Sequence, residues 1–354
     1  MKEENGGVMD QFTNEDNLPL VLGIDLGGTQ LRAAVLRGAT LISRVGSLTG
    51  ENPVPDRIVP RMFQVVRQAL AEAHVSLDQI AGIGIGAPGP LNARTGIVFE
   101  PPNLPGWNNV PLRDLFSEEF SIPISVENDA NAGALGEYMF GAGRNCTNLV
   151  YLTISTGIGG GVISEGRILN GASGIAGELG HITIDWCGER CNCGNIGCLE
   201  VIASGTAIAR RANEAIAMGK GEELLTFALA HPEHDKKANT PADNEIVAAT
   251  PLHVNTRIVA QAAQTGIPLA REIINRAAEA LGVGLVDIIH IFNPEIIILG
   301  GGVTQMGELL IEPARRIVAT RTMRVPRESV RIVTAKLGND VGLIGAGALI
   351  YYTM

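Results

Sequence analysis

Apolar and polar positions along the chain form a strand–turn–strand arrangement that occurs twice. Two β-rich runs flank the glycine pair Gly27–Gly28 within residues 21–36, which predicts a β-hairpin. A second strand, glycine-rich turn and strand follow within 149–166. The two segments share their apolar pattern and turn position rather than residue identities, which suggests an internal duplication without establishing it.

Further elements follow from apolar spacing. Apolar residues at helical spacing predict a helix over 56–74, and the other predicted helices start near Asn128 or span 200–218, 267–291 and 341–351. Short apolar runs predict buried strands over 80–85, 122–126 and 295–299. The stretch 219–255 is polar and is expected to hold short helices and a loop. Strands that alternate with helices, in two hairpin-led halves, predict an α/β fold with a ligand between two lobes.

Composition and charge narrow the functions that need consideration. The 354 residues are enough for two domains, and the net charge of −10 argues against a nucleic-acid partner. No apolar run of about 18 residues is present, so we expect no membrane span. The first 18 residues are acidic and polar, lack the features of a signal peptide and are expected to be a flexible tail. We therefore expect a cytoplasmic protein.

The two glycine turns are candidate phosphate sites. In the first, Gly27, Gly28 and Thr29 can offer backbone N–H groups and a hydroxyl to phosphate oxygens, and Asp25 offers a carboxylate for Mg²⁺. The second turn, over 155–161, could act in the same way from the other lobe. Neither fits the Walker or Rossmann pattern. Glycines that merely form tight turns are the alternative.

A third glycine run, Gly300, Gly301 and Gly302, follows the predicted strand 295–299. We expect it to form a wall for adenosine. A packing turn before a helix is the alternative. A single glycine turn is better explained by tight turn geometry. Two such hairpin turns together with this third run favour a nucleotide site.

The cysteine-rich segment predicts a metal site. His181 is followed, after nine, one and four intervening residues, by Cys191, Cys193 and Cys198. Three thiolates and one imidazole complete a tetrahedral zinc site with no open position, which indicates a structural metal. Buried free thiols are the alternative. Cys187 could compete as a ligand, but we expect it and Cys146 to be small apolar residues.

A carboxylate at a strand end is the candidate catalytic base. Asp129 lies where a helix is expected to begin, and from there it could accept a proton from a sugar hydroxyl that attacks a phosphoryl group. The adjacent Asn128 could fix a neighbouring hydroxyl. Helix capping is the alternative role for both residues, and it is the better explanation when the pair is taken alone.

Taken in order, these motifs resemble the signatures of the ROK family (repressors, open reading frames, kinases). The matching segments are DLGGT at 25–29, GAPG at 86–89, ENDAN at 127–131, ELGH at 178–181 and CNCGNIGCLE at 191–200. The resemblance implies a two-lobed actin/hexokinase/Hsp70-like (ribonuclease H-like) fold with a ligand cleft between the lobes. It also implies transfer of a phosphoryl group from ATP with Mg²⁺, and a homodimer or homotetramer. We expect a small domain over 19–132, against which helix 340–354 packs, and a large domain over 133–339 that carries the zinc loop.

The resemblance also implies roles for single residues. Asp129 would be the general base. The sugar hydroxyls would be held by Gly89, Asn103, Asn128, Glu178, His181 and Glu200. The phosphates would be faced by Asp25, Gly27, Gly28, Thr29, Thr156 and Gly157. His181 would serve both the metal and the sugar.

Substrate and class are less tightly constrained by the resemblance. The cysteine motif is similar to the glucokinase branch, which favours glucose, whereas the fructokinase branch commonly carries a second histidine that is missing here. N-acetylhexosamine kinases share most of the pocket. A ROK repressor would need an N-terminal helix-turn-helix, and the acidic segment of about 20 residues before the first hairpin is too short for one. A non-catalytic sugar sensor is disfavoured by the base and the phosphate turns, and polyphosphate stays open as the donor.

Overall fold

Two mixed β-sheets organise the protein, as seen in a computed structural model that describes residues 15–50, 53–231 and 254–354. Within these ranges the strands are β1 (Leu20–Leu26), β2 (Gln30–Arg37), β3 (Thr40–Leu41), β4 (Val45–Leu48), β5 (Ile80–Ala87), β6 (Leu91–Asn92), β7 (Ile97–Val98), β8 (Val110–Pro111), β9 (Ile124–Asn128), β10 (Leu149–Ile154), β11 (Ile158–Ser164), β12 (Arg167–Ile168), β13 (Ile296–Gly300) and β14 (Arg331–Thr334). The α-helices are α1 (Pro55–Ala73), α2 (Leu112–Phe120), α3 (Asp129–Phe140), α4 (Leu199–Ala203), α5 (Gly205–Ala217), α6 (Glu222–Ala230), α7 (Thr256–Thr265), α8 (Pro268–Phe292), α9 (Glu308–Arg321), α10 (Arg324–Ser329) and α11 (Val341–Thr353).

The two large sheets repeat one topology. Their strand orders are β3-β2-β1-β5-β9, with β4 also beside β2, and β12-β11-β10-β13-β14. In each sheet the hairpin strands are antiparallel, and the two later strands run parallel to the first strand of the hairpin. The internal similarity suggested by the two hairpins is therefore present in strand order and direction, and the predicted two-lobed α/β fold is confirmed.

Two helices pack between the sheets. Helix α11 lies on β1 and β5 and crosses α3, and α3 packs on β10 and β11. Glycine permits this close contact: a Cβ atom on Gly84 would lie 1.8 Å from the carbonyl oxygen of Ala346, and one on Gly345 would lie 2.1 Å from that of Ala132. Residues from both sheets and both helices share one buried cluster, including Leu36, Leu135, Tyr151 and Leu349. The inter-lobe contact is therefore an apolar core.

Each sheet has a second core on its outer face. Helices α1 and α2 cover the first sheet, where α1 begins at a proline and buries one apolar side. The second sheet is covered by the cluster that includes α5, α7, α8 and α9. The predicted boundary between residues 132 and 133 lies inside α3, which starts at the end of β9 and continues onto the second sheet.

Several predicted elements differ from the structure. The single helix predicted over 200–218 is broken at Ser204, whose extended backbone ends α4 and whose hydroxyl caps α5. The predicted strand 122–126 is β9, which begins two residues later, at Ile124. Helices α7 and α9 and strand β14 had no counterpart among the predicted elements. Part of the stretch 219–255 forms α6, and residues 232–253 lie outside the described residues.

The expected N-terminal tail is only partly described. Residues 1–14 lie outside the described residues, and Glu15–Asn17 forms a short 3₁₀ turn. The Glu15 carboxylate accepts a hydrogen bond from the backbone of Ala39, and Leu18 is buried. Residues 15–18 are therefore held against the first sheet. None of the described helices combines the length and apolarity needed to cross a membrane.

Candidate active site

Polar groups gather where the parallel strands of the first sheet end. Asp25 lies near the end of β1, Gly89 follows β5, and Asn128 ends β9. The carboxyl ends of parallel strands share one edge of a sheet, which is the usual place for ligands in open α/β sheets. Residues that are far apart in sequence therefore meet at one opening.

Asn128 caps helix α3. Its Oδ1 accepts hydrogen bonds from the backbone N–H groups of Ala130 and Asn131, at 2.9 and 3.3 Å. Its Nδ2 is left over for other contacts, and a Cβ atom on Gly89 would lie 3.0 Å from that nitrogen. The capping role and a ligand-binding role therefore use different atoms of one side chain.

Asp129 is the first residue of α3, and its carboxylate shares one of the two capped N–H groups, that of Ala130, with Asn128. Its Oδ1 accepts one bond, from the N–H of Ala130 at 2.8 Å. Burial, with the nearby negative charge of Asp25 as the next cause, raises the pKa of Asp129 to about 7. The residue is still exposed to the open cleft. Water there weakens the effect, and a bound ligand that displaces the water strengthens it.

Glu178 lies across Gly89 from Asn128, and His181 lies beside Glu178. The Oε1 of Glu178 would be 3.5 Å from a Cβ atom on Gly89, and its Oε2 lies 3.9 Å from the Nε2 of His181. Burial raises the pKa of Glu178, while His181 opposes that rise. The side chains of Asn128 and Glu178 thus converge on Gly89, whose missing side chain leaves room for a ligand, and His181 lies next to Glu178.

Two further residues that are predicted to bind the sugar lie closer to the glycine turns. A Cβ atom on Gly28 would lie 2.9 Å from the Cβ of Asn103. Glu200 accepts a hydrogen bond through Oε2 from the N–H of Ile158, at 2.8 Å. The same oxygen would lie 2.4 Å from a Cβ atom on Gly157. Asn103 and Glu200 therefore each lie against one glycine turn.

The two glycine turns are built alike. The first is closed by a bond from the N–H of Gly27 to the carbonyl of Gln30, and the second by a bond from Ser155 to Gly157. Among the described residues, no acceptor is recorded for the N–H groups of Gly28 and Thr29, nor for those of Thr156 and Gly157. These four groups can bind an anion. The N–H of Gly27 is already engaged, so Gly27 contributes only turn geometry.

A cavity of about 1030 Å³ opens beside the second turn. Of the predicted residues, Thr156 and Gly302 line it. Gly300 and Gly301 instead pack inward, where Cβ atoms would lie 2.5 Å from the Tyr151 hydroxyl and 2.3 Å from the Ile154 carbonyl. Of the three glycines predicted to form a wall for adenosine, only Gly302 therefore borders this cavity.

Sequence reasoning missed most of this cavity. Its other lining comes from α5, α7 and the 3₁₀ turn Gly302–Met306, and includes Thr206, Arg210, Asn213, Arg257, Gln261 and Gln305. The polar side of α7 was the available signal. A volume of this size suits a nucleoside-sized ligand.

Four residues cluster as a candidate metal site. The ligand atoms of His181, Cys191, Cys193 and Cys198 all lie within 4.8 Å of one another. The Sγ atoms of Cys193 and Cys198 are 3.7 Å apart, and Cys191 Sγ lies 3.6 Å from His181 Nδ1. Sulfur atoms bound to one zinc at about 2.3 Å in a tetrahedron are about 3.8 Å apart, so the donors fit that ion. His181 turns Nδ1 to this cluster and Nε2 to Glu178.

The two remaining cysteines lie outside the cluster. Cys187 is exposed, rather than a buried apolar residue as expected, and its N–H donates to Asp185. Cys146 is buried, and its sulfur accepts a bond from Arg331 at 3.3 Å. Neither residue competes for the candidate metal site in this structure.

Comparison with known proteins gives one consistent family. The ROK family profile matches residues 21–352. A glucokinase from Thermotoga maritima is 36% identical, with 93% of this chain and 96% of the relative aligned. A xylose repressor from Caldicellulosiruptor bescii is 31% identical, with 94% of this chain and 78% of the repressor aligned. The crystal structure of a ROK family glucokinase from Streptomyces griseus, in complex with glucose and AMPPNP, is 32% identical with a TM-score of 0.76, covering 93% of this chain and 98% of that one. The motifs, the repeated sheet topology and these matches together show that the chain belongs to the ROK family.

Proposed function

We propose that this protein transfers a phosphoryl group from ATP to the 6-hydroxyl of a hexose, with glucose as the first substrate and Asp129 as the general base. The observation that carries the proposal is the position of Asp129. It lies at the end of β9 in the electrostatic reach of both Asp25, on the phosphate side, and Glu178, on the sugar side. The glucokinase relatives support the choice of a hexose.

The sugar would occupy the opening around Gly89. Asn128 can donate through Nδ2, while Glu178 and Glu200 can accept from sugar hydroxyls. Asn103 and the Nε2 of His181 complete the set. Asp129 would accept the proton of the attacking hydroxyl, and a pKa near the working pH suits that task.

The nucleotide would span the two glycine turns and the large cavity. The free N–H groups of Gly28, Thr29, Thr156 and Gly157 would cradle the phosphates, and the cavity beside Gly302 would take the adenosine. Asp25 would hold Mg²⁺ with its Oδ1, which no described donor occupies. The ion supplies neutralisation of charge on the transferred phosphoryl group.

The four-residue cluster would hold a structural Zn²⁺. With three sulfur donors and one imidazole the shell is closed, so no water can be activated there. The metal would fix the loop that carries Glu178 and His181, and would set which nitrogen of His181 faces the sugar. This links metal content to sugar affinity without a chemical role in the transfer.

A coupled ADP-release assay tests the proposal. Glucose, mannose, fructose, N-acetylglucosamine and N-acetylmannosamine are compared with ATP, and glucose is repeated with polyphosphate. We expect glucose with ATP to give the highest kcat/KM, and Asp129→Ala to lower kcat by at least about a thousandfold. Turnover of none of these sugars, or near-normal turnover by Asp129→Ala, contradicts the proposal.

A sugar-responsive regulator is the second candidate, because relatives that include the xylose repressors are about as similar to this chain as some glucokinases. The net charge of −10 disfavours a DNA-binding role. A gel-shift assay with and without glucose separates the two. Sequence-specific DNA binding without sugar phosphorylation would favour the regulator.

A further inference from the structure

We propose that Arg32 is a positioning residue that holds the Asp25 carboxylate in the orientation needed for the nucleotide's divalent cation. The proposal rests on the proposed kinase function for the identity of that cation. It concerns a residue outside the glycine turn itself, on the strand that leads away from it.

Arg32 engages one oxygen of Asp25 and leaves the other open. The Nε of Arg32 donates to Asp25 Oδ2 at 3.0 Å, and Nη2 donates to the same oxygen. No described donor reaches Oδ1. The guanidinium therefore binds Oδ2 and restricts rotation of the carboxylate, while Oδ1 stays open for coordination of a cation.

The start of helix α11 forms the other side of this clamp. A Cβ atom on Gly342 would lie 2.8 Å from both Cγ and Oδ2 of Asp25 and 3.0 Å from Oδ1. All three nearest atoms belong to Asp25, so a methyl group at that position would press first on this carboxylate. The carboxylate thus lies between Arg32 and the first turn of α11, where a negative charge is also favoured by the helix dipole.

Arg32 is itself anchored to the segment before α11. Its Nη1 donates to the carbonyl of Asn339 at 2.8 Å and lies 3.9 Å from Asp340 Oδ1. That oxygen also pairs with Arg44 at 3.2 Å. Each nitrogen of the guanidinium therefore has an acceptor, and they lie on two different chain segments.

A lysine cannot reproduce this geometry. The planar guanidinium meets Asp25 with two N–H groups and Asn339 with a third, whereas an ammonium is a single point charge on a flexible stem. We therefore expect Arg32→Lys to keep the charge balance but to lose much of the fixed orientation. This expectation separates positioning from simple charge neutralisation.

Binding of Mn²⁺–ADP, followed by electron paramagnetic resonance of Mn²⁺ without sugar, tests the inference directly. We expect Arg32→Ala to raise the dissociation constant of Mn²⁺–ADP at least tenfold, with Arg32→Lys intermediate. Gly342→Ala should act in the same direction because it displaces Asp25, although alanine favours a helix. Glucose affinity, from intrinsic fluorescence, should change less than twofold in each variant.

Arg44→Ala is the matched control, since Arg44 belongs to the same charge cluster but does not contact Asp25. It should leave Mn²⁺–ADP binding within twofold of the wild type. Unchanged binding in folded Arg32→Ala, or in Gly342→Ala if the first variant fails to fold, overturns the inference. Equal weakening by Arg44→Ala also overturns it. The readout needs no turnover, so a protein that phosphorylates none of the sugars but shows the expected binding changes refutes the proposed function alone.

Discussion

Replacing Asp129 by asparagine should stabilise the protein at high pH while it removes activity. Burial and the charge of Asp25 raise the pKa of Asp129 from its usual 3.8 to about 7. A carboxyl whose folded pKa lies above its unfolded value stabilises the folded state at low pH, and this contribution is lost as the pH rises through the folded value. Asp129 therefore opposes folding increasingly as the pH rises from about 3.8 to about 7, and fully above that pH.

The size of the effect follows from the shift and the exposure of the group. A rise of roughly three pKa units corresponds to about 4 kcal/mol for a group out of contact with water. Asp129 faces the open cleft, so solvent screening reduces this to about 1–2 kcal/mol. Asparagine keeps the size and the Oδ1 acceptor for Ala130 without the charge, so it should recover that free energy.

Urea unfolding at pH 5 and pH 8.5 measures this difference. We expect Asp129→Asn to be more stable than the wild type by about 1–2 kcal/mol at pH 8.5, with a smaller difference at pH 5. Glu118→Gln, an exposed change on α2, should show no such pH dependence. The wild-type kcat/KM should fall tenfold per pH unit below the pKa of Asp129 in the free enzyme, which screening places between the usual 3.8 and about 7. An acid limb near pH 4, together with equal stability of Asp129→Asn and wild type at both pH values, would refute the reasoning.

Three other predictions address the metal, the cap and the inter-lobe packing. Elemental analysis should find about one zinc per chain. Cys193→Ser should lower zinc content, Tm and glucose affinity together, whereas Cys187→Ser should change none of them. Unchanged glucose affinity after metal loss contradicts the proposed link between the metal and the sugar site. Asn128→Asp should keep the free energy of unfolding within about 0.5 kcal/mol because Oδ1 still caps α3, yet it should raise the glucose KM because Nδ2 is lost. Asn128→Ala should raise the glucose KM and also lower the free energy of unfolding in urea by about 1 kcal/mol. Equal KM values for Asn128→Asp and wild type contradict this prediction. Gly84→Ala should cost more than about 2 kcal/mol because its Cβ would meet the Ala346 carbonyl, whereas Gly46→Ala, with no atom closer than 4.0 Å, should cost less than about 1 kcal/mol by the same measurement.

The elements that the sequence predicted well are those with strong local signals. Helix α1 differs by one residue at each end from the prediction of 56–74, because its apolar residues keep a strict helical spacing. Both glycine hairpins and the cysteine cluster could likewise be predicted, because each is formed by residues that are close together in the sequence. The break at Ser204 was missed because the apolar pattern continues across it, while the local cap and a bond from Gly205 to the Ser155 carbonyl decide the backbone.

The large cavity is the part of the candidate site that could not be predicted from the sequence. Its lining brings together residues such as Thr156, Asn213, Gln261 and Gln305, which lie on elements far apart in the chain. Within its own segment, each of these residues has the sequence pattern of an ordinary polar surface residue. Only the packing of α5 and α7 beside β10 and β13 makes them neighbours, and that packing depends on contacts between distant helices rather than on local preference.

The two roles considered for the pair Asn128–Asp129, helix cap and catalytic pair, are compatible in the structure. A helix N-terminus needs an acceptor for its free N–H groups, and the Oδ1 of Asn128 supplies it. If the cap carried a carboxylate instead, its charge would lie against the helix dipole, where it is stabilised and has a lower pKa. A neutral cap leaves the one carboxylate of the pair on Asp129, where burial and Asp25 raise its pKa toward neutrality. The order asparagine then aspartate therefore places a cap that needs no charge before the carboxylate that we propose as the base. Exchanging the two side chains, in the double variant Asn128→Asp with Asp129→Asn, would still cap the helix but would remove the carboxylate of the proposed base from position 129.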